Sequence, residues 1–217
     1  LTTFYLPALK ERGLGYIVAA NGSVVPSDLS YYKLHNPKYL VLGLQTITEE
    51  QYDGTSRLKN ISFEDYILKA SQLIKYFYEN CEDTIISIEV ACNRTKSFVY
   101  KLVGTSYNEA IPSFKDQKNN IGSVINMISE NTGIDFHEGQ GEVSRYPGQE
   151  TLAHSSDGKI FFGTKEFIDM VNFYDRLPTS APPVCYMEGM VFKMNGNVSP
   201  CCIDYKSQTD FGSIIET

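Results

Sequence analysis

Tryptophan is absent from this 217-residue sequence, histidine occurs only three times, and no basic run is present. The formal net charge of -7 argues against a nucleic-acid partner on electrostatic grounds. No apolar run approaches the ~20 residues of a membrane-spanning helix, so we expect no membrane partner. An apolar fraction of 42%, with 15 tyrosines and 12 phenylalanines, supports a hydrophobic core.

The cysteines are few and odd in number, five in all. Secreted domains favour paired cysteines, so we expect a reducing, cytoplasmic location. Cys81 and Cys92 lie singly beside or inside a predicted strand. Cys185, Cys201 and Cys202 form the one cluster, and they direct attention to the end of the chain.

The dipeptide Asn195-Gly196 separates two short runs of β-forming residues, a pattern typical of a hairpin with a two-residue type I′ turn. That register pairs Lys193 with Val198 and Met190 with Cys201. The hairpin therefore gathers the three cysteines at its open end, where thiolates can bind a metal. Thiolates bind both zinc and iron–sulfur clusters, so both remain candidates. A disulfide between Cys185 and Cys201 is also geometrically allowed.

The first half of the chain alternates strands with helices. Near-continuous apolar strands are predicted after Gly15, at Tyr39–Thr46 and at Thr84–Ala91, and Ser62 with Asp65 begins a helix over Phe63–Asn80. Such alternation predicts an α/β fold with right-handed βαβ units and a parallel sheet. Ligands in such sheets bind beyond the carboxyl ends of the strands.

The second half is less regular. The pattern predicts a loop over 104–119, a helix over 121–130, a strand over 133–137, an insertion or mobile segment over 138–158, and a strand over 159–162. Thr164 is expected to cap a helix from Lys165 to Arg176. The Pro-rich run 177–183 reads as a linker, so we expect one domain over 1–180 and a second over 181–217.

The cysteine hairpin has a spacing that resembles a known family. Cys185, ten residues, Gly196, four residues and Cys201, followed by Gly212-Ser213-Ile214, is similar to the opening of the SPASM or twitch domain of radical S-adenosylmethionine (SAM) enzymes. The strand ending in Asn21-Gly22 resembles the family's Thr-Asn-Gly strand end. The next strand and loop are also similar, although Leu44-Gln45-Thr46 departs from the family's usual strand end.

The resemblance implies a partial (β/α) barrel of parallel strands followed by a small β-hairpin domain. It implies an auxiliary [4Fe–4S] cluster bound by Cys185 and Cys201. Adjacent cysteines rarely bind one iron through both sulfurs, so we expect Cys202 to be a packing or spare residue. It also implies SAM contacts by Asn21 and Gly22 with the methionyl part, and by Gln45 and Asn93 with the ribose or carboxylate. The activity implied is radical hydrogen abstraction from a peptide or small-molecule substrate, with flavodoxin or ferredoxin as electron donor.

One family motif is missing from these 217 residues. No Cys-x₃-Cys-x₂-Cys sequence is present, and this motif holds the [4Fe–4S] cluster that cleaves SAM. The family places it upstream of the Asn-Gly strand, so we expect it on residues before Leu1, in preference to a degenerate family member that lacks it. These 217 residues alone are expected to be inactive. The alternative is a non-catalytic α/β binding module with a structural zinc hairpin.

Two further acidic or basic positions stand out. Glu89 alternates with apolar neighbours, which predicts either a buried carboxylate with a partner or a solvated residue. His137 lies beside Asp135 and Glu138, and it is interpreted as a surface residue in preference to a catalytic acid–base group.

Overall fold

The structure, a computed structural model, describes residues 2–44, 46–55, 61–92, 112–139, 151–166, 191–192, 197–199 and 212–213. Contacts divide the chain into two compact units, Leu1–Ser97 with Tyr107–Phe167 and Phe98–Ser106 with Ile168–Thr217. The predicted linker 177–183 lies outside the described residues. None of the described helices is long and apolar enough to cross a membrane.

The first unit combines five helices with six strands among its described residues. The helices are α1 (Thr2–Glu11), α2 (Ser30–Leu34), α3 (Glu49–Thr55), α4 (Phe63–Asn80) and α5 (Phe114–Thr132). The strands are β1 (Ile17–Ala20), β2 (Tyr39–Gly43), β3 (Ile85–Cys92), β4 (Phe136–Glu138), β5 (Thr151–Ser155) and β6 (Ile160–Glu166).

The six strands form one sheet in the order β1-β2-β3-β6-β5-β4. Strands β1, β2, β3 and β6 are parallel, which confirms the α/β class. The sheet is mixed, however, because β5 runs antiparallel to both of its neighbours. The chain reverses between β5 and β6 at Asp157-Gly158, where Gly158 takes the left-handed φ of 71° that a tight turn favours.

The core lies between one face of this sheet and the helices. Ile86, Ile88 and Val90 alternate along β3 and are fully buried in the same apolar cluster as residues from α4 and α5. The other face of β3 carries Ser87 and Glu89. The period of two along the strand therefore separates an apolar, helix-covered face from a face with polar groups.

Helix α4 has the predicted bounds and the predicted buried stripe. Ser62 accepts a hydrogen bond from the backbone N–H of Asp65 at 3.0 Å, which satisfies one free donor of the first turn. The residues predicted at helical spacing are all buried: Tyr66, Ile67, Ala70, Leu73, Ile74 and Phe77. An amphipathic pattern of this length is therefore a sufficient guide to the helix.

The prediction for α5 was wrong at its start. The helix begins at Phe114, inside the segment predicted as loop, because Ser113 and Asp116 form a capping box in which each side chain bonds the other's backbone N–H. At the other end Gly133 takes a φ of 75° and terminates the helix. The following strand therefore begins at Phe136, three residues later than predicted.

Two predictions near β6 were also wrong. Thr164 does not cap a helix, and Lys165 does not begin one, because both residues belong to β6. The pairing of both residues with β3 outweighs the local capping signal. Within the predicted insertion 138–158, residues 151–155 form strand β5.

The second unit contains a three-stranded antiparallel sheet of β7 (Val191–Phe192), β8 (Asn197–Ser199) and β9 (Gly212–Ser213), in that order. The hairpin prediction is confirmed, but its register is shifted by one residue. Phe192 pairs with Val198, and Val191 with Ser199, in place of the predicted partnership of Lys193 with Val198. This register belongs to hairpins with an odd number of loop residues, in which Gly also commonly supplies the left-handed position.

Candidate functional site

The carboxyl end of β1 is a compact turn built by Asn21, Gly22 and Ser23. The side-chain oxygen of Asn21 accepts hydrogen bonds from the Ser23 backbone N–H at 3.1 Å and the Ser23 hydroxyl at 2.7 Å. Asn21 is exposed, and its side-chain nitrogen makes no hydrogen bond to any described residue. The asparagine therefore shapes the turn with its side-chain oxygen, and its amide nitrogen carries two N–H donors that the turn does not use.

Two separate features of this turn require glycine at position 22. Its φ of 76° lies in the left-handed region, which glycine adopts without strain. It is also buried, and a Cβ at this position would lie 3.2 Å from the Ala70 Cβ and 3.3 Å from the Leu42 Cδ1. The end of β1 thus packs closely against α4, and this contact fixes the position of the turn.

Four of the six predicted site residues lie outside the described residues: Gln45, Asn93, Cys185 and Cys201. Cys202 does so as well. Of the predicted SAM contacts, the structure describes Asn21 and Gly22. Of the remaining cysteines, Cys81 and Cys92 are fully buried and belong to no disulfide, as expected for packing residues. Burial raises the pKa of the Cys81 thiol, which keeps it protonated and unreactive.

Glu89 lies at the centre of the sheet, on the face opposite the helices. Its side chain is only 5% exposed, and the Lys165 Nζ lies 3.0 Å from its Oε2. The contact is an ion pair by distance, without the angles of a directed hydrogen bond. The Lys165 side chain is 68% exposed, so a buried carboxylate is partnered by a largely solvated ammonium group. The structure therefore confirms the buried alternative predicted for Glu89.

The positions directly beside Glu89 form a row across the sheet, which we call the Glu89 row: Gly43 of β2, Glu89, Gly163 of β6 and Thr151 of β5. Because both flanking positions are glycine, no side chain stands directly beside the carboxylate within the row. Among the described residues, a Cβ on Gly43 would meet only the Ala20 carbonyl oxygen within 4 Å, at 3.7 Å. The sequence signal for this row was two isolated glycines in strands.

Two hydroxyls on the same face have no hydrogen-bond partner among the described residues. Ser87, two residues before Glu89, is fully buried, and Thr151 is 3% exposed. Buried polar groups without a partner cost about 1–3 kcal/mol each in mutational data, and proteins rarely leave them so. The face of the sheet that carries Glu89 therefore contains buried hydroxyls without a hydrogen-bond partner among the described residues.

A buried glutamine connects the helices to the carboxyl end of β3. The Gln117 Nε2 donates to the Ala91 carbonyl at 2.6 Å, and its Oε1 accepts from the Gln51 Nε2 at 3.2 Å. The Gln51 Oε1 in turn accepts from the Ile47 backbone N–H at 3.1 Å. This chain fixes the segment after β2 to the strand that carries Glu89, and sequence reasoning missed it because it joins residues far apart in the chain.

Tyr66 supports the same region from α4. Its hydroxyl donates to the Gly43 carbonyl at 3.3 Å. Burial, with a smaller contribution from Tyr52, raises the pKa of Tyr66 far above its usual range, so the hydroxyl stays a donor at physiological pH. The backbone of the Glu89 row is thus held from the helix side.

His137 lies at the sheet's far edge and is exposed, in agreement with its interpretation as a surface residue. Its Nε2 lies 2.9 Å from the Ser156 hydroxyl, and its ring centre is 5.8 Å from that of His154. Within the described ranges no three His, Cys, Asp or Glu residues come close enough to hold a metal ion.

Comparison with protein-family models, with curated proteins and with solved structures found no match to this chain. The radical SAM resemblance therefore stays a prediction that rests on the sequence motifs and on the geometry described above.

Proposed function

We propose that this chain is part of a radical SAM enzyme, with a partial (β/α) barrel followed by a SPASM or twitch unit that binds an auxiliary [4Fe–4S] cluster. The observation that carries the proposal is the pairing of β8 with β9. Asn197 pairs with Ser213, and Val198 with Gly212. The Gly-Ser-Ile element therefore lies beside the strand that leads to Cys201, and the resemblance assigns both elements to one domain.

The first unit supports the barrel part of the proposal. Strands β1, β2, β3 and β6 are parallel and follow one another across the sheet in chain order. Their carboxyl ends share one edge, where ligands bind in parallel α/β proteins. Asn21 and Gly22 come directly after β1 at this edge, and the amide nitrogen of Asn21 fits a ligand acceptor.

The proposed roles follow the resemblance residue by residue. Cys185 and Cys201 would bind the auxiliary cluster, and Asn21, Gly22, Gln45 and Asn93 would contact SAM. SAM held by these residues, together with its own [4Fe–4S] cluster, would supply the radical chemistry of hydrogen abstraction. The cysteines for that second cluster are not among the 217 residues, so we assign this chain binding and positioning rather than complete catalysis.

The substrate proposed is a peptide or a small molecule, and the electron donor a flavodoxin or ferredoxin. The competing candidate is a binding module with a zinc hairpin, because thiolates of this spacing also suit tetrahedral zinc. The two candidates differ in the metal bound and in the presence of inorganic sulfide, so a metal analysis separates them.

Anaerobic reconstitution of the full chain with ferrous iron and sulfide tests the proposal. Dithiothreitol is included because a four-iron cluster takes four thiolates and the chain is proposed to supply two. We expect bound iron and sulfide in the parent protein and in Cys202→Ala, and loss of both in the Cys185→Ala/Cys201→Ala double variant. Stoichiometric zinc without iron, or a double variant that keeps all its iron, would overturn the assignment.

A further inference from the structure

Two of the three histidines in the chain meet on one pair of strands. His137 of β4 and His154 of β5 are direct partners in the antiparallel register, so their side chains lie on the same face of the sheet. Their ring centres are 5.8 Å apart, with an angle of 55° between the ring planes. His137 is exposed and His154 is half-buried, so water reaches the pair.

The hydrogen bond of His154 leaves one of its ring nitrogens unused. The His154 Nδ1 lies 3.0 Å from the Ser155 carbonyl oxygen. A carbonyl oxygen only accepts, so the hydrogen of the neutral ring is on Nδ1 and the Nε2 keeps a lone pair. This Nε2 makes no hydrogen bond to a described residue.

A second hydrogen bond selects the tautomer of His137. Its Nε2 lies 2.9 Å from the Ser156 hydroxyl, which itself donates to the Asp135 carbonyl at 3.4 Å. Because a hydroxyl has one hydrogen, the Ser156 oxygen accepts from the Nε2–H of His137 in this arrangement. The Nδ1 of His137 therefore also keeps a lone pair.

Both hydrogen bonds are of the kind that metal-binding histidines make. Such a histidine donates the hydrogen of its second ring nitrogen to an acceptor, which fixes the tautomer and the ring orientation. A metal–nitrogen distance of about 2.0–2.1 Å places each ring centre about 3.2 Å from the ion, and a tetrahedral angle then places the two centres about 5.2 Å apart. The observed 5.8 Å has to close by only about 0.6 Å, which small side-chain rotations provide.

We propose that His137 and His154 bind one divalent transition-metal ion, through the Nδ1 of His137 and the Nε2 of His154. Imidazole nitrogens suit Zn²⁺, Ni²⁺ and Cu²⁺, whereas Mg²⁺ and Ca²⁺ prefer oxygen ligands. Among the described residues no third His, Cys, Asp or Glu completes the group, so the other coordination positions are open to water. A metal ion with open positions polarises its bound water, as in hydrolytic sites.

This histidine site is independent of the proposed function. It lies at the β4 end of the strand order, opposite the β1 end, and it requires neither SAM nor a cluster. An ion bound by two imidazoles carries no sulfide, and it remains when Cys185 and Cys201 are replaced. The two proposals can therefore fail separately.

The test is a titration of the metal-free full chain, with the Cys185→Ala/Cys201→Ala substitutions, with Zn²⁺ alone. These substitutions remove the thiols proposed to bind metal elsewhere, and nitrogen-15 NMR follows the histidine ring nitrogens. We expect one equivalent of Zn²⁺ to shift the Nδ1 of His137 and the Nε2 of His154 together and to leave the His35 ring unchanged. Mg²⁺ should shift neither ring.

Single substitutions show whether the two rings share one ion. His137→Ala should abolish the shift of the His154 Nε2 at one equivalent of Zn²⁺, because the remaining imidazole loses the second ligand. Ser156→Ala, which removes the hydrogen-bond partner of His137, should weaken zinc binding about tenfold while both nitrogens still shift at saturation. His35→Ala removes the third histidine as a matched control and should leave both shifts unchanged.

Three outcomes would overturn the inference. These are no ring-nitrogen shift at saturating Zn²⁺, an equal effect of Mg²⁺, and a His154 shift that survives in His137→Ala, as independent binding to single histidines requires. Thermal unfolding shows whether each variant is folded. If His137→Ala does not fold, the titration without this substitution decides, because two shifts with different midpoints contradict a shared ion.

Discussion

Gly22 shows how one residue joins the sequence motif to the packing of the fold. The Asn-Gly dipeptide predicts a turn after a strand, and the structure has this turn. The sequence does not reveal that the glycine also lies against Ala70 of α4 and Leu42 of β2. Local turn chemistry was therefore predictable, whereas the close approach of a helix far along the chain was not.

Two glycine variants separate the cost of the left-handed backbone conformation from the cost of close packing. Gly13 has a φ of 63°, and no described atom lies within 4 Å of the position that a Cβ would occupy, so Gly13→Ala should lower the free energy of unfolding by about 1 kcal/mol through backbone strain. Gly22→Ala adds crowding at 3.2 Å and should lower it by a further ~1–3 kcal/mol. Urea unfolding measures both values, and equal losses would show that the packing at Gly22 is loose.

Glu89 illustrates the limit of prediction for the candidate site. Its position among apolar neighbours left a buried and a solvated alternative open, and the structure selects the buried one. Its partner could not be predicted, because Lys165 was assigned to a helix and the contact needs the pairing of β3 with β6. Residues that meet across a parallel sheet carry no local signal in the sequence.

At the scale of elements, α5 begins in a segment whose apolar residues do not recur at helical spacing. The segment 114–120 is rich in Lys, Asp, Gln and Asn, so the hydrophobic pattern predicts a helix only from Ile121. The signal that was present is Ser113 with Asp116 three residues later, the spacing of a capping box. Gln117, fully buried and bonded to Ala91, explains why this polar turn is retained.

Ser113→Ala should therefore lower the free energy of unfolding by about 1 kcal/mol, because the N–H of Asp116 loses its capping oxygen. Ser123→Ala is the matched control, since Ser123 is exposed in the middle of α5 and alanine favours helix there by a few tenths of a kcal/mol. Chemical denaturation provides both numbers. No loss in Ser113→Ala would mean that packing alone fixes the start of α5.

Strand β6 was the element least accessible to prediction. Its first half, Ile160-Phe161-Phe162, has strand-forming residues, but Thr164-Lys165-Glu166 resembles the start of a helix. The strand continues because β3 supplies a parallel partner along all seven residues up to Glu166. Tertiary pairing overrides local preference in such cases, since strand propensity depends on the neighbours that a strand acquires.

At the scale of the whole molecule, β1 is at one end of the strand order in the six-stranded sheet. Large apolar side chains are exposed on and near this strand, with Leu14 at 54%, Ile17 at 49% and Leu34 at 63%. An edge strand with exposed apolar side chains promotes association with other chains. We expect the 217-residue chain to self-associate as its concentration rises.

Ile17→Lys should reduce this association, because a charged residue on an edge strand opposes pairing. Leu68→Lys, which removes a similarly exposed apolar side chain from α4, is the control and should leave association unchanged. Sedimentation velocity over a range of concentrations measures the effect. A parent chain that stays monomeric throughout would contradict the role assigned to the β1 edge.

The α/β class and the hairpin of β7 and β8 were predicted from strand and turn patterns, whereas the third strand of that sheet, β9, was not. The mixed order of the large sheet and the one-residue shift of the hairpin were not. Asn-Gly suits loops of more than one length, so the dipeptide alone does not determine the register. Patterns of residues thus define elements, whereas order and register follow from contacts between them.

The acid-labile sulfide content of the anaerobically reconstituted chain tests the central claim most directly, because neither a zinc site nor a chance pair of thiols retains inorganic sulfide. The account predicts sulfide bound in near-equal amount to iron, and loss of both when Cys185 and Cys201 are replaced by alanine. A chain that holds zinc or isolated iron without sulfide would contradict it.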